Sequence, residues 1–260
     1  MTEKACFALA CFWQPDAQFG CQKGVLQTRV GYCGARARHP NYPSVNDHTE
    51  AVEITYDPSI ISYEDLLRLF WQFHDPCSCK KRQYMSAIFY SDEQQRRLAE
   101  DSKKHHESEL EKQVATQILA LNIFHEAEDY HQKYFLRTYH RNFYGGLPKH
   151  DPVTSTRDAR LNGYLSGHGN VEDMEKDEYL SELTEEQLQY VRNHMTGEHK
   201  APTVEPFIRT VIQVGWNFVK KAVDTQNLAL LNKSPKLYSI PKNIAIRRVE
   251  FTDCWRATNR

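Results

Sequence analysis

The chain has 260 residues, with 33 lysines and arginines against 34 aspartates and glutamates, and its formal net charge of -1 gives no electrostatic case for nucleic acid or an anionic membrane as partner. No apolar run approaches the roughly 20 residues that span a bilayer, and no secretory signal is recognisable, so we expect a cytoplasmic protein. The odd number of cysteines, 7, favours free or redox-active thiols over a disulfide framework.

The N-terminal half of the chain predicts alternating strands and helices. Apolar residues recur with a period of two or in short runs, which predicts strands over 4–10, 28–32, 51–56, 85–90 and 116–121. Helices are predicted to begin at Pro15, to follow a cap at Ser62, and to cover 92–113 and 126–137. This alternation predicts an α/β or α+β domain.

Beyond residue 141 these patterns weaken. Residues 141–170 are predicted to be irregular, and 172–195 to hold one or two short helices, with Thr184 in a capping box. The segment 206–223 is apolar in patches, and its basic end is compatible with a helix terminus. No internal repeat or low-complexity tract is recognisable.

Cys11 follows the first predicted strand and precedes the first predicted helix, in the stretch ALACFWQP. The nucleophilic form of cysteine is the thiolate, which the free N–H groups and dipole of a helix N-terminus stabilise. A cysteine flanked by alanine and aromatic residues is nevertheless more often an inert core residue. Local spacing supplies no Ser/His/Asp or Cys/His triad, so the residues alone favour the core thiol and leave the nucleophile open.

Glu50 begins a predicted strand with apolar inward residues, directly after the polar run Asn46-Asp47-His48-Thr49. A carboxyl group that is partly desolvated there would keep its proton near neutral pH and could act as an acid. A solvated charge at the end of a strand is the commoner alternative.

Several segments in a fixed order resemble the type A peptide methionine sulfoxide reductases. That family carries Gly-Cys-Phe-Trp-Gly at its nucleophile, where this chain has ACFWQ at 10–14. The further matching segments are VGYCGA (30–35), HPNYPSVNDHTEAVEITYDP (39–58), ISYEDLLRLFWQFHDP (61–76), RQYMSAIFY (82–90) and EAEDYHQKY (126–134). The likeness covers 5 to about 137, and LNGYLSGHGNVEDM at 161–174 resembles the C-terminal extension of longer animal members.

The resemblance implies that Cys11 is the nucleophile and that Phe12 and Trp13 form the aromatic wall that holds the substrate's methyl group. This agrees with the chemistry of a sulfoxide, whose apolar S-methyl packs favourably on an aromatic face. Attack at sulfur requires a thiolate, and it leaves a sulfenic acid that a second thiol can condense to a disulfide.

For the sulfoxide oxygen, the resemblance implies that Glu50 supplies the proton and that Tyr42 and Tyr84 donate hydrogen bonds. The oxygen leaves only once it is protonated, so an acid and O–H donors are what this half of the pocket requires.

The resemblance further implies a two-layer α+β sandwich with a ferredoxin-like core, in which helices flank a mixed sheet. It implies reduction of methionine-S-sulfoxide, free or in proteins, as a repair of oxidative damage. No metal or organic cofactor is expected, a thioredoxin-like dithiol is the expected reductant, and we expect a monomer. The division expected is a catalytic domain over 1–140, an extension wrapping on the core over 141–197, and a tail of unknown role over 198–260.

The thiol that would resolve the Cys11 sulfenic acid is left open. Cys254 is favoured, because recycling cysteines of this family often lie near the C-terminus. Cys77 and Cys79, in a loop close in sequence to Tyr84, come next, and direct attack by an external thiol is a further alternative. A zinc site made by Cys77 and Cys79 with His105-His106 is disfavoured, because Cys-x-Cys is too tight for the usual ligand spacing.

Two departures from the family pattern motivate a rival hypothesis. Gln14 replaces the second glycine of the nucleophile motif, and Cys79 stands where many bacterial members have an aspartate. Ala10, in place of the first glycine, is a smaller change. The rival is a catalytically weak or inactive protein on the same scaffold that binds methionine or senses redox state.

Overall fold

The computed structural model describes residues 1–34, 48–78 and 81–197. Its strands are β1 Glu3–Leu9, β2 Val25–Cys33, β3 Thr49–Tyr56, β4 Ser86–Tyr90, β5 Gln117–Ala120 and β6 His125–Glu126. Its α-helices are α1 Trp13–Gly20, α2 Tyr63–Gln72, α3 Glu93–Leu110, α4 Tyr134–Tyr139, α5 Arg141–Gly145, α6 Thr156–Tyr164, α7 Val171–Glu175 and α8 Glu185–Thr196.

The six strands form one mixed sheet in the order β5-β4-β1-β3-β2-β6. β4 and β5 run parallel, and the other neighbouring pairs are antiparallel. The central order β4-β1-β3-β2, with α1 after β1 and α2 after β3, is the ferredoxin-like arrangement. The predicted α+β fold with a mixed sheet and flanking helices is therefore confirmed.

Helices cover one face of the sheet, and the alternation along β1 shows why. Ala5, Phe7 and Leu9 point towards α1, α2 and α3, where they join a buried cluster with Phe19 and Phe70. We call this group the sheet cluster. Cys6 and Ala8 point to the opposite face, which smaller residues and the segment after β5 cover. A strand that is apolar on both faces is what such double coverage requires.

Local capping explains where the predicted helices begin. The Ser62 hydroxyl accepts a hydrogen bond from the backbone N–H of Asp65, and the Asp65 carboxylate accepts one from the backbone of Ser62, so the predicted cap is a complete capping box. Thr184 and Gln187 form the same motif at the start of α8, as predicted. α1 begins at Trp13 rather than at Pro15, and Pro15 still lies in the first turn, where its missing N–H is not needed.

The helix predicted over 126–137 is wrong. This stretch contains β6, a 3-10 turn at Asp129–His131 and only then α4. The side-chain amide of Gln132 holds the chain open, because it accepts from the Val30 N–H at 3.0 Å and donates to the Val30 and Ala127 carbonyls at 2.9 and 3.1 Å. The Gln132 side chain thus pairs with the edge of β2 next to β6, in the manner of a strand, and the residues before α4 do not form α-helical hydrogen bonds.

The irregular structure predicted over 141–170 is also wrong, because α5 and α6 lie there. α6 buries four polar side chains, Arg157, Asp158, Arg160 and Asn162. Each is hydrogen-bonded within the protein. These polar residues alternate with its few buried apolar ones, Leu161 and Tyr164 among them, and obscure the periodicity that normally reveals a buried helix in a sequence.

α6 packs directly on α1. A Cβ atom added at Gly163 would lie 2.6 Å from the Ala17 carbonyl oxygen and 2.5 Å from the Cys21 Cβ, so only glycine fits this approach. A second set of buried side chains, here called the C-terminal cluster, joins Cys21 to the segment after α4. Its other members are Leu136, Leu147, Leu161, Tyr164, Leu165, Met174, Leu180, Leu183 and Val191.

None of the helices in the described ranges has both the length and the apolar composition that crossing a membrane requires.

Candidate active site

Cys11 lies between the end of β1 and the start of α1, and its side chain is buried. The preceding residue, Ala10, has a φ of 75°, which turns the chain sharply between the two elements. Phe12 is the N-cap of α1, and its carbonyl oxygen accepts from the Asp16 N–H at 3.1 Å. The predicted junction between strand and helix is thus present, with the thiol beside the helix N-terminus.

Glu50, the second residue of β3, is brought next to this junction. Its carboxyl group is 1% exposed. Oε2 accepts from the Phe12 N–H at 3.1 Å, and Oε1 accepts from the Gln83 Nε2 at 2.8 Å. Burial raises the pKa of Glu50 from 4.5 to about 7, although these two hydrogen bonds favour the charged form and oppose the shift. The carboxyl group therefore keeps its proton to a much higher pH than an ordinary glutamate.

Tyr84 belongs to a 3-10 turn, Arg82–Tyr84, that the start of β3 holds in place. The Thr49 hydroxyl donates to the Arg82 carbonyl oxygen at 2.9 Å, and Gln83 in the same turn donates to Glu50. Tyr84 itself is half-buried. The structure thus brings the turn that carries Tyr84 to the carboxyl group of Glu50.

The aromatic residues after Cys11 are buried and make close contacts with other rings. Phe12 is buried, with its ring centroid 5.7 Å from that of Tyr32. The Trp13 indole stacks on Tyr134 at 3.7 Å between centroids and 5° between planes. Its Nε1 donates to His131 Nδ1 at 3.1 Å. One face of the indole is therefore covered by Tyr134, and its polar edge is satisfied.

His131 contacts Trp13 more closely than it contacts its acidic neighbour Glu128. Its Nε2 lies 3.8 Å from a Glu128 oxygen, which is too long for a hydrogen bond. Burial lowers the pKa of His131 from 6.5 to about 4, against the opposing charge of Glu128. The ring is neutral at pH 7 and can accept the indole proton.

Gln14 lies at the exposed rim of this site. Its amide Nε2 is 3.0 Å from Nε2 of His168, in the loop after α6. Gly167 and Gly169, which flank His168, have φ values of 83° and 73°, so the loop depends on glycine at both positions. Burial lowers the pKa of His168, which favours the neutral ring that this amide requires.

The structure leaves some predicted residues undescribed and places others away from this arrangement. Tyr42, Cys79 and Cys254 lie outside the described residues. Cys77 is half-buried and packs against the sheet cluster. Cys33 ends β2 with its sulfur 3.6 Å from that of Cys6, and both are buried. Across the described ranges, no group of three or more His, Cys, Asp or Glu side chains is placed to hold a metal ion.

Sequence reasoning missed the residues that support the site. Gln83, Tyr134 and His168 all lie in segments that resemble the family, but nothing in their spacing indicated a contact with Glu50, Trp13 or Gln14. Such contacts join residues that are far apart in the chain, and only the fold brings them together.

The fold and the site define a class: an α+β oxidoreductase built around a buried thiol, a carboxyl group that titrates near neutral pH, and an aromatic wall. The family model described as peptide methionine sulfoxide reductase matches residues 3–158. The chain therefore belongs to the peptide methionine sulfoxide reductase family.

Individual proteins of this family are similar to the chain in sequence and structure. A peptide methionine sulfoxide reductase of Drosophila melanogaster is 39% identical over 196 residues, which cover 74% of this chain and 79% of that protein. One from the archaeon Methanococcus maripaludis is 41% identical over 146 residues, covering 52% and 93%. Among solved structures, methionine sulfoxide reductase A of Corynebacterium diphtheriae matches with a TM-score of 0.50 and 29% identity, over 57% of this chain and 79% of that one.

Proposed function

We propose that this protein reduces methionine sulfoxide to methionine, with Cys11 as the nucleophile and Glu50 as the acid. The observation that carries the proposal is the buried Glu50 carboxyl group, hydrogen-bonded to the Phe12 amide beside Cys11, with a pKa of about 7. An acid whose pKa lies near the working pH is the most effective proton donor for a leaving oxygen.

In the first step the Cys11 thiolate attacks the sulfoxide sulfur. The N-terminus of α1 stabilises the thiolate, and protonated Glu50 gives its proton to the sulfoxide oxygen. The attack forms an S–S bond between Cys11 and the substrate sulfur. The S–O bond of the substrate then breaks, its protonated oxygen passes to the Cys11 sulfur, and the S–S bond breaks as methionine leaves, so that Cys11 becomes a sulfenic acid. The substrate sulfur is reduced by two electrons, and the cysteine sulfur is oxidised by two.

Substrate binding uses the two sides of the pocket differently. The indole of Trp13 and the ring of Phe12 receive the S-methyl group, since sulfur and methyl groups pack well against aromatic rings. Tyr84, and Tyr42 outside the described residues, donate to the oxygen. Selectivity for the S epimer is part of the proposal by family likeness.

Recycling completes the cycle. A thiol condenses with the sulfenic acid, water leaves, and a thioredoxin-like dithiol reduces the resulting disulfide by exchange. Cys254 is the proposed resolving thiol, with Cys79 and the half-buried Cys77 as alternatives. A cytoplasmic location, a monomeric state and domain boundaries at residues 140 and 197 stay predictions.

The test is turnover of a methyl sulfoxide substrate with dithiothreitol as reductant. Wild type is expected to turn over, Cys11→Ser to be inactive, and Glu50→Gln to lose about 10²–10⁴-fold in rate, the usual contribution of a general acid. No turnover by wild type would favour a protein that only binds methionine. Mass spectrometry after one turnover without reductant identifies the resolving thiol as the one paired with Cys11.

A further inference from the structure

We propose that Lys133 is a positioning residue for this reaction, because its buried contact with Asp16 fixes the indole of Trp13 at the substrate pocket. The inference rests on the function proposed above, and it concerns a residue that has no contact with the reacting atoms.

Lys133 is buried to an extent that is unusual for its type. Its side chain is 0% exposed, and lysine is almost never fully buried unless it is paired. The ammonium Nζ lies 3.1 Å from Asp16 Oδ1 and donates to the Thr28 carbonyl oxygen at 2.6 Å. The backbone N–H of Lys133 donates to the other carboxylate oxygen of Asp16 at 3.1 Å. One carboxylate thus binds both the main chain and the side chain of Lys133.

Asp16 is equally buried, and both of its carboxylate oxygens accept hydrogen bonds. It is 0% exposed, and it also accepts from the Thr28 hydroxyl at 2.6 Å and from the Asn162 amide at 3.4 Å. Removing two charges from water is costly, and a buried ion pair is weak evidence for a stabilising role. A pair kept at this place is better explained by the geometry that it imposes.

That geometry is a reversal of the chain at Lys133. The residue has a φ of 49°, a left-handed conformation that is uncommon for any residue other than glycine. The double contact with Asp16 holds it there. α4 begins at the next residue, Tyr134, and the 3-10 turn before it ends at His131.

The reversal brings Tyr134, the next residue, and His131, two residues earlier, onto the same indole. Tyr134 stacks on the face of Trp13 at 3.7 Å, and His131 accepts from its Nε1 at 3.1 Å. Asp16 lies on α1, three residues after Trp13. The ion pair therefore connects α1, which carries the indole, to the segment that carries His131 and Tyr134. We call these connected contacts around Trp13 the ring of interactions.

Substituting Lys133→Met removes the ammonium and should loosen this ring. We expect the KM for a methionine sulfoxide peptide to rise at least tenfold while kcat changes less than threefold, since Cys11 and Glu50 are untouched. The pH profile of kcat should stay unchanged. Acrylamide quenching of the Trp13 fluorescence should rise at least twofold. The Trp13 signal is obtained by subtracting the fluorescence of the same variant carrying Trp13→Phe.

Three further variants separate positioning from damage to the fold. Lys133→Gln keeps an amide that can donate to Asp16, so its KM should lie between those of wild type and Lys133→Met. Tyr134→Leu removes the stack but leaves the ion pair, and it should reproduce the rise in KM. Phe143→Leu breaks a stack of the same kind, with Tyr190 at 4.5 Å and 8°, and should leave KM unchanged.

Unchanged KM and unchanged Trp13 quenching in Lys133→Met would overturn the proposal, and if that variant does not fold, the same result in Lys133→Gln would do so. If the wild-type protein fails to reduce sulfoxides, the proposed function falls. The quenching comparison still decides whether Lys133 fixes the indole.

Discussion

Glu50 links the proposed chemistry to a measurable property of the folded protein. Burial raises its pKa from 4.5 to about 7, so the folded state holds this proton more tightly than the unfolded state. The stability that protonated Glu50 contributes is fully present below pH 4.5 and is lost as the pH rises through about 7. The total loss is about 3 kcal/mol, at 1.36 kcal/mol for each unit of pKa difference.

We therefore predict that the free energy of unfolding of Glu50→Gln, relative to wild type, rises by about 3 kcal/mol between pH 4 and pH 8. Urea denaturation at several pH values measures the difference, and any constant effect of the substitution cancels. Glu186→Gln, at an exposed position of α8, is the control and should show no such trend. If the difference in free energy of unfolding between Glu50→Gln and wild type does not change with pH, the carboxyl group is not desolvated.

Ala10 is strained where the family pattern has glycine. Its φ of 75° destabilises the folded state by roughly 1–2 kcal/mol, because the residue has a Cβ. Burial of its methyl group stabilises the folded state by only about 0.8 kcal/mol. Ala10→Gly should raise the free energy of unfolding by about 0.5–1 kcal/mol in urea titrations. Ala8→Gly, inside β1, should lower it, and a loss at both positions would contradict the strain at Ala10.

How far the site could be predicted depended on the kind of signal that each residue carries. Cys11 and Glu50 were identified from segments that resemble the family, because the residues alone favoured an inert core thiol and a solvated charge. Asp16 and Lys133 were not, because their importance comes from a contact between residues 117 positions apart. A lysine in a polar segment predicts a solvated charge, and only the fold shows that it is enclosed.

The close contact between α1 and α6 makes a prediction about Gly163. The Cβ of an alanine there would overlap backbone and side-chain atoms of α1, so Gly163→Ala should lower the free energy of unfolding by about 1–3 kcal/mol, the usual cost of overpacking. Gly145→Ala, with no atom within 4 Å of the new Cβ, is the matched control and should be neutral or slightly stabilising. Equal effects in the two variants would show that the helices can separate without cost.

The elements that sequence patterns predicted well were those with an apolar periodicity. The strands β1, β3 and β4 and the helix α2 each show an apolar side because each contributes to the sheet cluster. The segment around β6 and α4 was predicted wrongly, because a single glutamine side chain replaces the helical ladder there. α6 was missed because four of its buried side chains are polar and hydrogen-bonded, and they interrupt the apolar pattern of the helix.

The sheet cluster and the C-terminal cluster meet at α1. Phe19, near its C-terminal end, belongs to the sheet cluster, and Cys21, its C-cap, belongs to the C-terminal cluster. Arg160 of α6 donates to the carbonyl oxygens of Gly20 and Val25, which ties α6 to the chain between α1 and β2. Since α1 also carries the site at its other end, loosening either cluster should disturb the same helix.

This arrangement predicts that the sheet and the segment after α4 unfold together. Leu161, 0% exposed in the C-terminal cluster, is a suitable probe, and Leu161→Ala should cost about 2–5 kcal/mol. Pulsed thiol labelling read by mass spectrometry follows both regions at once, because Cys6 reports on the sheet and Cys21 on the C-terminal cluster. Both thiols should become reactive at the same urea concentration in wild type, and the substitution should shift both equally. Labelling of Cys21 at a lower urea concentration than Cys6 would show instead that the C-terminal cluster opens independently, and the support that it gives to α1 would then be local.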